Sequence, residues 1–223
     1  MSSIQSALES INKSTPPTVN LVAVSKTKPV SDIQIAYDSG QREFGENKAQ
    51  ELVEKVSQLP NDIKWHFIGH LQSKKVKLLI EHTHLIHSVD SEKLLREINK
   101  RAKSIGKVQK ILLQIHIAQE EHKHGLSEEE GVDLIGIAMQ ELDFIEIAGL
   151  MGMATFTENQ TQIDSEFRFL KELFDKYKMN YFSNHPSFKE ISMGMSGDFM
   201  LGVKHGSTII RVGSLIFGGR NYG

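Results

Sequence analysis

Eight short apolar runs, each but the last followed by a segment of helical period, constrain this 223-residue chain more than any single residue does. Residues 19–25, 43–47, 65–69, 84–89, 108–117, 145–153, 190–195 and 208–217 read as strands. Between them, apolar residues recur at helical spacing. Ala49, Leu52, Val53 and Val56 share one face; Val76 and Leu79 mark the next helix; Leu94, Leu95 and Ile98 follow a cap at Asp90 or Ser91. Ser127 and Glu130 have capping-box spacing ahead of Leu134, Ile135 and Ala138. Ile163, Phe167, Leu170, Phe174 and Tyr177 form the clearest stripe. Further helices are predicted over 30–37, closed by Gly40, and over 199–203. An opening helix carrying Ile4, Leu8 and Ile11 precedes the first strand and ends at Thr15-Pro16-Pro17, because proline lacks the amide donor.

Strands alternating with helices imply a parallel sheet, since parallel neighbours need a crossover between them. Eight such units predict a single α/β domain over residues 1–223, a (β/α)8 TIM-type barrel with an extra N-terminal helix. The alternative is an open doubly wound sheet, disfavoured because no G-x-G-x-x-G follows the first strand.

Composition removes several kinds of chemistry. The chain has no cysteine, which excludes disulfides, thiolate nucleophiles and cysteine-ligated metals. A formal net charge of -2 gives no electrostatic case for nucleic acid or an anionic membrane, and Lys74, Lys75 and Lys77 read as a solvated helix face. The start, Met1-Ser2-Ser3-Ile4, has no secretory pattern, and no apolar run is long enough to span a bilayer. A cytoplasmic protein is the expectation.

In a parallel barrel, the carboxyl ends of the strands form the functional face. Lys26, Asn47, His70, Asp90, Met153, Ser196 and Gly213-Ser214 fall there. Lys26 ends the buried run Leu21-Val22-Ala23-Val24-Ser25; alone it reads first as a solvated strand-end cation, the alternative being one held for chemistry, and the rest of the chain shifts that balance. After the seventh strand comes Ser196-Gly197-Asp198, and the eighth carries Arg211-Val212-Gly213-Ser214. Small residues at helix starts let amides approach an anion, and phosphate sites in such barrels use these two loops. Arg211, inside an apolar strand, is either a structural ion pair or a fixed donor to a ligand. His82-x-His84 and His122-x-His124 have metal-pair spacing without a third ligand, so no metal site is predicted, and His124-Gly125 reads as a solvated turn. Residues 156–162 read as a solvated polar connection, and no serine–histidine–acid motif stands out.

Several stretches together resemble the pyridoxal phosphate homeostasis proteins. They are Ala23-Val24-Ser25-Lys26-Thr27-Lys28-Pro29, Phe44-Gly45-Glu46-Asn47, Trp65-His66-Phe67-Ile68-Gly69-His70-Leu71-Gln72, Gly149-Leu150-Met151, Ser192-Met193-Gly194-Met195-Ser196, and Gly206-Ser207-Thr208 through Arg211-Val212-Gly213-Ser214 to Ile216-Phe217-Gly218. They run in family order along nearly the whole chain. Two positions depart from the pattern. His116 stands where the family often has asparagine before a Glu-x-x-Lys-x-Gly (here Glu120, Lys123 and Gly125), and Lys74-Lys75 replaces Asn-Lys.

The resemblance implies a barrel like the N-terminal domain of alanine racemase, with pyridoxal 5'-phosphate bound at the strand ends. It implies that Lys26 holds the cofactor as a Schiff base, and that Ser196, Gly197, Gly213 and Ser214 receive the phosphate. Arg211 would face the pyridine nitrogen and Asn47 would lie beside the ring. Imine formation needs a neutral amine, and a free lysine has a pKa of ~10.4. Desolvation and the Arg211 charge would lower it. A guanidinium donates but does not release its proton, so the ring is a weak electron sink. The function expected is intracellular cofactor homeostasis with little or no turnover and no catalytic residue, with cofactor-dependent apo-enzymes as partners.

An amino-acid racemase is the rival reading. It needs a second acid/base group, which racemases take from a β-rich domain; the sequence stops at Gly223, so none is expected here. A Schiff-base aldolase using Lys26 on a phosphorylated carbonyl substrate is the third. Without the racemase's second domain, a monomer is expected.

Overall fold

The computed structural model describes residues 2–120 and 124–219. Lys123, His122 and the terminal Gly223, which entered the reading above, lie outside the described residues, as does Met1.

Eight parallel strands close into a barrel in sequence order: β1 (Asn20–Val24), β2 (Glu43–Glu46), β3 (Lys64–Phe67), β4 (Thr83–Val89), β5 (Gln109–Gln114), β6 (Ile145–Met151), β7 (Glu190–Met195) and β8 (Ile209–Val212). The ring closes through β1 and β8, with Asn20 to Ala23 paired in register against Ile209 to Val212. The helices are α1 (Ser3–Ser14), α2 (Val30–Asp38), α3 (Ala49–Val56), α4 (Val76–Leu79), α5 (Glu92–Ser104), α6 (Glu128–Glu141), α7 (Gln160–Asn180), α8 (Phe199–Lys204) and α9 (Ser214–Phe217). Among the described residues, no helix is long and apolar enough to cross a membrane.

Two apolar layers result from the two-residue period of the strands. Outward-facing residues such as Phe44, Trp65, Ile86, Ile191 and Ile210 pack under the helices, where Leu52, Leu95, Phe167 and Tyr177 meet them. Inward-facing Val22, Leu85, Leu112, Ala148, Met151 and Ile209 fill the barrel. The same alternation sends His66, His87, Ser192 and Arg211 inward, so a polar strip crosses the interior from β3 and β4 to β7 and β8 although all four are buried.

The predicted stripes hold. Ile4, Leu8 and Ile11 are buried on α1, and all five apolar residues foreseen on α7 are buried. Ser127 and Glu130 form a complete capping box. Ser91 occupies the N-cap of α5 but makes no side-chain cap.

Two expectations are corrected. The eighth strand stops at Val212 instead of running to 217, and Ser214 to Phe217 turn into α9, which packs against α1. A short apolar run such as Leu215-Ile216-Phe217 fits either period, and Gly213 breaks the strand at the N-cap. On α3 the buried face is Ala49, Leu52 and Lys55, with Val53 and Val56 only half-buried. A polar network described below draws Lys55 inward.

Gly149 marks where β6 and β7 meet most closely. Its φ is 153°, and a Cβ there would lie 1.8 Å from the Glu190 carbonyl oxygen. Gly149→Ala is therefore expected to cost about 3 kcal/mol or more, since the clash is with backbone and not with a movable side chain. Urea-unfolding midpoints of the two proteins measure it, and equal midpoints would remove this contact from the account.

Candidate functional site

A cavity of about 590 Å³ opens at the carboxyl ends of the strands, within the size range of small-molecule sites. Lys26, Asn47, Ser196, Gly197, Arg211, Gly213 and Ser214 all line it. The sequence placed these residues at or near strand ends; the closed ring brings β1, β2, β7 and β8 to one mouth. Met153 is there too, whereas His70 and Asp90 are not among the lining residues and pair with each other.

Lys26 follows β1 directly and is half-buried. Its neighbours are held firmly. Ser25 is fully buried; its hydroxyl donates to Glu46 Oε1 at 2.6 Å, and its carbonyl accepts from Lys55 Nζ at 2.8 Å. Lys55 also donates to Glu46 and Glu51, each at 2.7 Å. Glu51 in turn accepts the Thr27 amide at 2.5 Å. Thr27 has a φ of 63°, the left-handed region that a β-branched residue adopts only under constraint. Such a conformation costs about 1–2 kcal/mol. The carboxylate on its amide and the buried Lys55 offset that cost and fix the turn from which Lys26 projects. Burial pushes the Glu46 carboxyl up against the opposing pull of Lys55 and Ser25.

Arg211 is only 4% exposed. It donates to Ser192 Oγ and, at 3.0 Å, to the Gly152 carbonyl. Burial lowers its pKa to about 10, opposed by Asp198, so it stays a cation at neutral pH. Of the two readings left open, the hydrogen bonds favour a fixed donor at the cavity floor. Ser192 continues into the barrel: its Oγ lies 2.9 Å from His87 Nδ1, and His87 Nε2 lies 2.8 Å from His66 Nδ1. Burial drives the His87 pKa well below 6.5, with His66 and Arg211 adding repulsion, so His87 is neutral. Arg211 donates to Ser192; a run in which Ser192 donates to His87 and His87 to His66 would satisfy the remaining links and leave a proton on His66 Nε2, the nitrogen nearest Glu43. His66 Nε2 then faces Glu43 Oε2 at 3.4 Å, long for a hydrogen bond. A buried polar chain thus runs from the cavity floor towards the opposite end of the barrel.

The loops after β7 and β8 supply small residues and backbone amides. The register between β7 and β8 shifts from Ser192↔Ile209 to Met195↔Arg211, three residues against two, with Gly194 at a φ of 94°. Such a bulge re-aims the strand end. Ser196 Oγ accepts from the Gly213 amide at 3.2 Å, tying the two loops together. A Cβ on Gly197 would meet nothing within 4 Å, so room remains above that backbone. The first amides of a helix lack intrahelical partners, which leaves Ser214 and Leu215 able to donate. With α8 and α9 six and four residues long, individual amides matter here more than a helix dipole.

Asn47 Oδ1 is buried without a hydrogen-bond partner. An orphaned group of this kind costs about 1–3 kcal/mol unless a ligand satisfies it. Together, an amine, an amide, a buried guanidinium and an amide-rich anion cradle fit an aromatic aldehyde bearing a phosphate.

Sequence reasoning missed several contributors. Thr155, Phe156 and Thr157 line the cavity, so the connection after β6 is part of the site; Phe156, at 97% exposure, stands at its rim. The rule that active faces collect the βα loops could have found them. Lys28 also lines the cavity, but its amine donates to the carbonyls of Phe217 and Gly219 at 2.7 and 2.9 Å. Of the two departures from the family pattern, His116 contacts the Glu120 carbonyl at 3.0 Å and Lys74 is exposed; neither lines the cavity.

Known proteins share this chain's sequence pattern and fold. Residues 1–221 match the alanine racemase N-terminal domain family. A pyridoxal phosphate homeostasis protein of Aquifex aeolicus is 38% identical over 91% of this chain and 87% of its own length. The human protein of that name is 40% identical over 91% of this chain and 77% of its own. The structure of PipY from Synechococcus elongatus PCC7942, with PLP bound, superposes with a TM-score of 0.84 at 35% identity, covering 96% of this chain and all of that one.

The neutral His87 has a consequence for acid stability. The unfolded chain binds a proton at this residue below about pH 6.5 and the folded chain does not, so stability falls as pH drops through that value. The slope is about 1.4 kcal/mol per pH unit per proton. His87→Gln should be less stable at pH 7 yet lose this share of the acid dependence. Urea unfolding at pH 7, 6 and 5 checks it, and identical slopes in the two proteins would contradict a neutral buried imidazole.

Proposed function

The chain belongs to the pyridoxal phosphate homeostasis protein family, and we propose that it holds pyridoxal 5'-phosphate on Lys26, storing and delivering the cofactor in the cytoplasm with little or no turnover. The observation that supports this reading most is the convergence of Lys26, Arg211 and the Ser196 and Gly213–Ser214 loops on one cavity. The cofactor supplies an aldehyde that condenses reversibly with an amine, releasing water.

The protein's own residues do the rest. Ser196, with the amides of Gly197 and Ser214, would hold the phosphate oxygens, and Asn47 would hydrogen-bond a polar substituent of the ring. Arg211, anchored by Ser192 and Gly152, would present its guanidinium to the pyridine nitrogen. Because it donates without giving up its proton, it does not turn the ring into a strong electron sink. The Thr27 turn fixes the backbone from which Lys26 projects. Reversible attachment on a site of this kind suits release to apo-enzymes.

Racemisation would need a second acid/base group. Among the described residues lining the cavity, the ionisable side chains are Lys26, Lys28, Asp198 and Arg211; none is a tyrosine or a histidine.

The protein mixed with the cofactor should turn yellow, and borohydride should fix the label to the peptide containing Lys26. Lys26→Ala should lose the colour and the trapped label yet keep phosphate-driven binding. Ser196→Ala should weaken binding by about 10–100-fold, the worth of a hydrogen bond to a charged group. Label found on Lys28 would reassign the attachment, and rapid, saturable D-alanine formation from L-alanine would replace the carrier reading with a racemase.

A further inference from the structure

Three ligating side chains from three successive strand ends meet outside the cofactor cavity. His70 lies just past β3, Asp90 directly follows β4, and His124 lies past β5. Their ligand atoms all fall within 4.8 Å of one another. His70 Nδ1 is 3.3 Å from Asp90 Oδ2, and His124 Nδ1 is 3.9 Å from the same oxygen. The two imidazoles stack, with centroids 4.0 Å apart and planes at 13°. His124, read from the sequence as part of a solvated turn, is exposed to solvent and also stacks its imidazole on His70.

The backbones under these side chains are fixed from the core. The Ser88 hydroxyl donates to the Gly69 carbonyl at 2.5 Å, and Gln114 Nε2 donates to the His124 carbonyl at 2.8 Å. Both Ser88 and Gln114 are buried. Exposure rises outward, from 11% for the Asp90 side chain to 45% for His70 and 59% for His124, which gives an ion a direct approach from solvent.

We propose that His70, Asp90 and His124 form a binding site for a divalent transition-metal ion of the zinc, nickel, cobalt or copper class. Two imidazoles and one carboxylate suit these ions, whereas magnesium and calcium prefer all-oxygen sets. Tetrahedral zinc with bonds of about 2.1 Å places its ligand atoms about 3.4 Å apart. The His70–Asp90 pair already has that spacing; His124 must close on Asp90 by roughly half an ångström, and its separation from His70, within 4.8 Å, must reach the same value. Stacked rings send their lone pairs out in parallel, so the imidazoles must also tilt to converge on one ion. Both side chains are exposed enough to do so without disturbing the core. Three protein ligands leave a fourth position open to water or another group. An ion held there would clip together the ends of β3, β4 and β5. The proposal stands independently of the cofactor reading.

The test uses untagged, chelator-stripped full-length protein titrated calorimetrically with zinc chloride and nickel chloride at neutral pH, with and without bound cofactor. One saturable equivalent is expected, together with a zinc-dependent rise in Tm. His70→Ala, His124→Ala and Asp90→Asn should each weaken binding by at least about tenfold, the lower end of what losing even an outer-shell partner costs. Far-UV circular dichroism confirms that each variant is folded. His82→Ala/His84→Ala, which removes the sequence-adjacent pair, should bind as the unmodified protein does. No saturable binding below about 1 mM, or an affinity unchanged in the His70→Ala/His124→Ala double variant, overturns the site.

Discussion

A guanidinium held in the barrel interior is the constraint around which the rest is arranged. Taking a cation out of water is costly, and Arg211 recovers that cost through a hydroxyl and a carbonyl at the cavity floor. Ser192, accepting from Arg211, also meets His87, and His87, neutral through burial, meets His66, so the guanidinium is continued by a chain of polar side chains. The inward faces of β3, β4, β7 and β8 are therefore polar for one shared reason. The apolar filling from Val22, Leu85, Leu112, Ala148, Met151 and Ile209 occupies the remaining space. A buried positive charge under an amide-lined cradle also sets the sign of what the cavity accepts, which is an anion.

A second device serves Lys26. The strained Thr27 backbone persists because Glu51, Lys55, Glu46 and Ser25 close around it. Left-handed backbone at a functional turn is strain held in place by its surroundings. Apart from Ser25, which adjoins the lysine itself, the holding groups come from β2 and α3. Lys55 looks like an ordinary surface helix residue until the fold presents two carboxylates to it.

Much of the architecture was legible because it rests on periodicity. The stripe from Ile163 to Tyr177 and the eight apolar runs report directly which faces are buried. The site was legible as well, because a barrel collects strand ends at one mouth and because Lys26, Asn47, Arg211 and the two small-residue loops carry the family's motif order. What escaped depends on contacts distant in sequence. The turn of Ser214 to Phe217 into a helix is decided by packing on α1. The inward swing of Lys55 is decided by Glu46, and the meeting of His70 with His124 by how the connection after β5 folds back. Phe156 looked like the start of a polar linker because exposure at a cavity rim and exposure in a plain loop leave the same trace in composition.

The seam between β1 and β8 gives the cavity an unusual dependence on chain length. Lys28, two positions past the amine, grips the carbonyl of Phe217 across 189 residues of sequence, and the amide cradle sits on the last two strands. A growing polypeptide therefore lacks part of this cavity's lining until its final strand has docked against its first. In the finished protein the same seam is the place where local opening would separate amine from cradle while the other six strands stay paired.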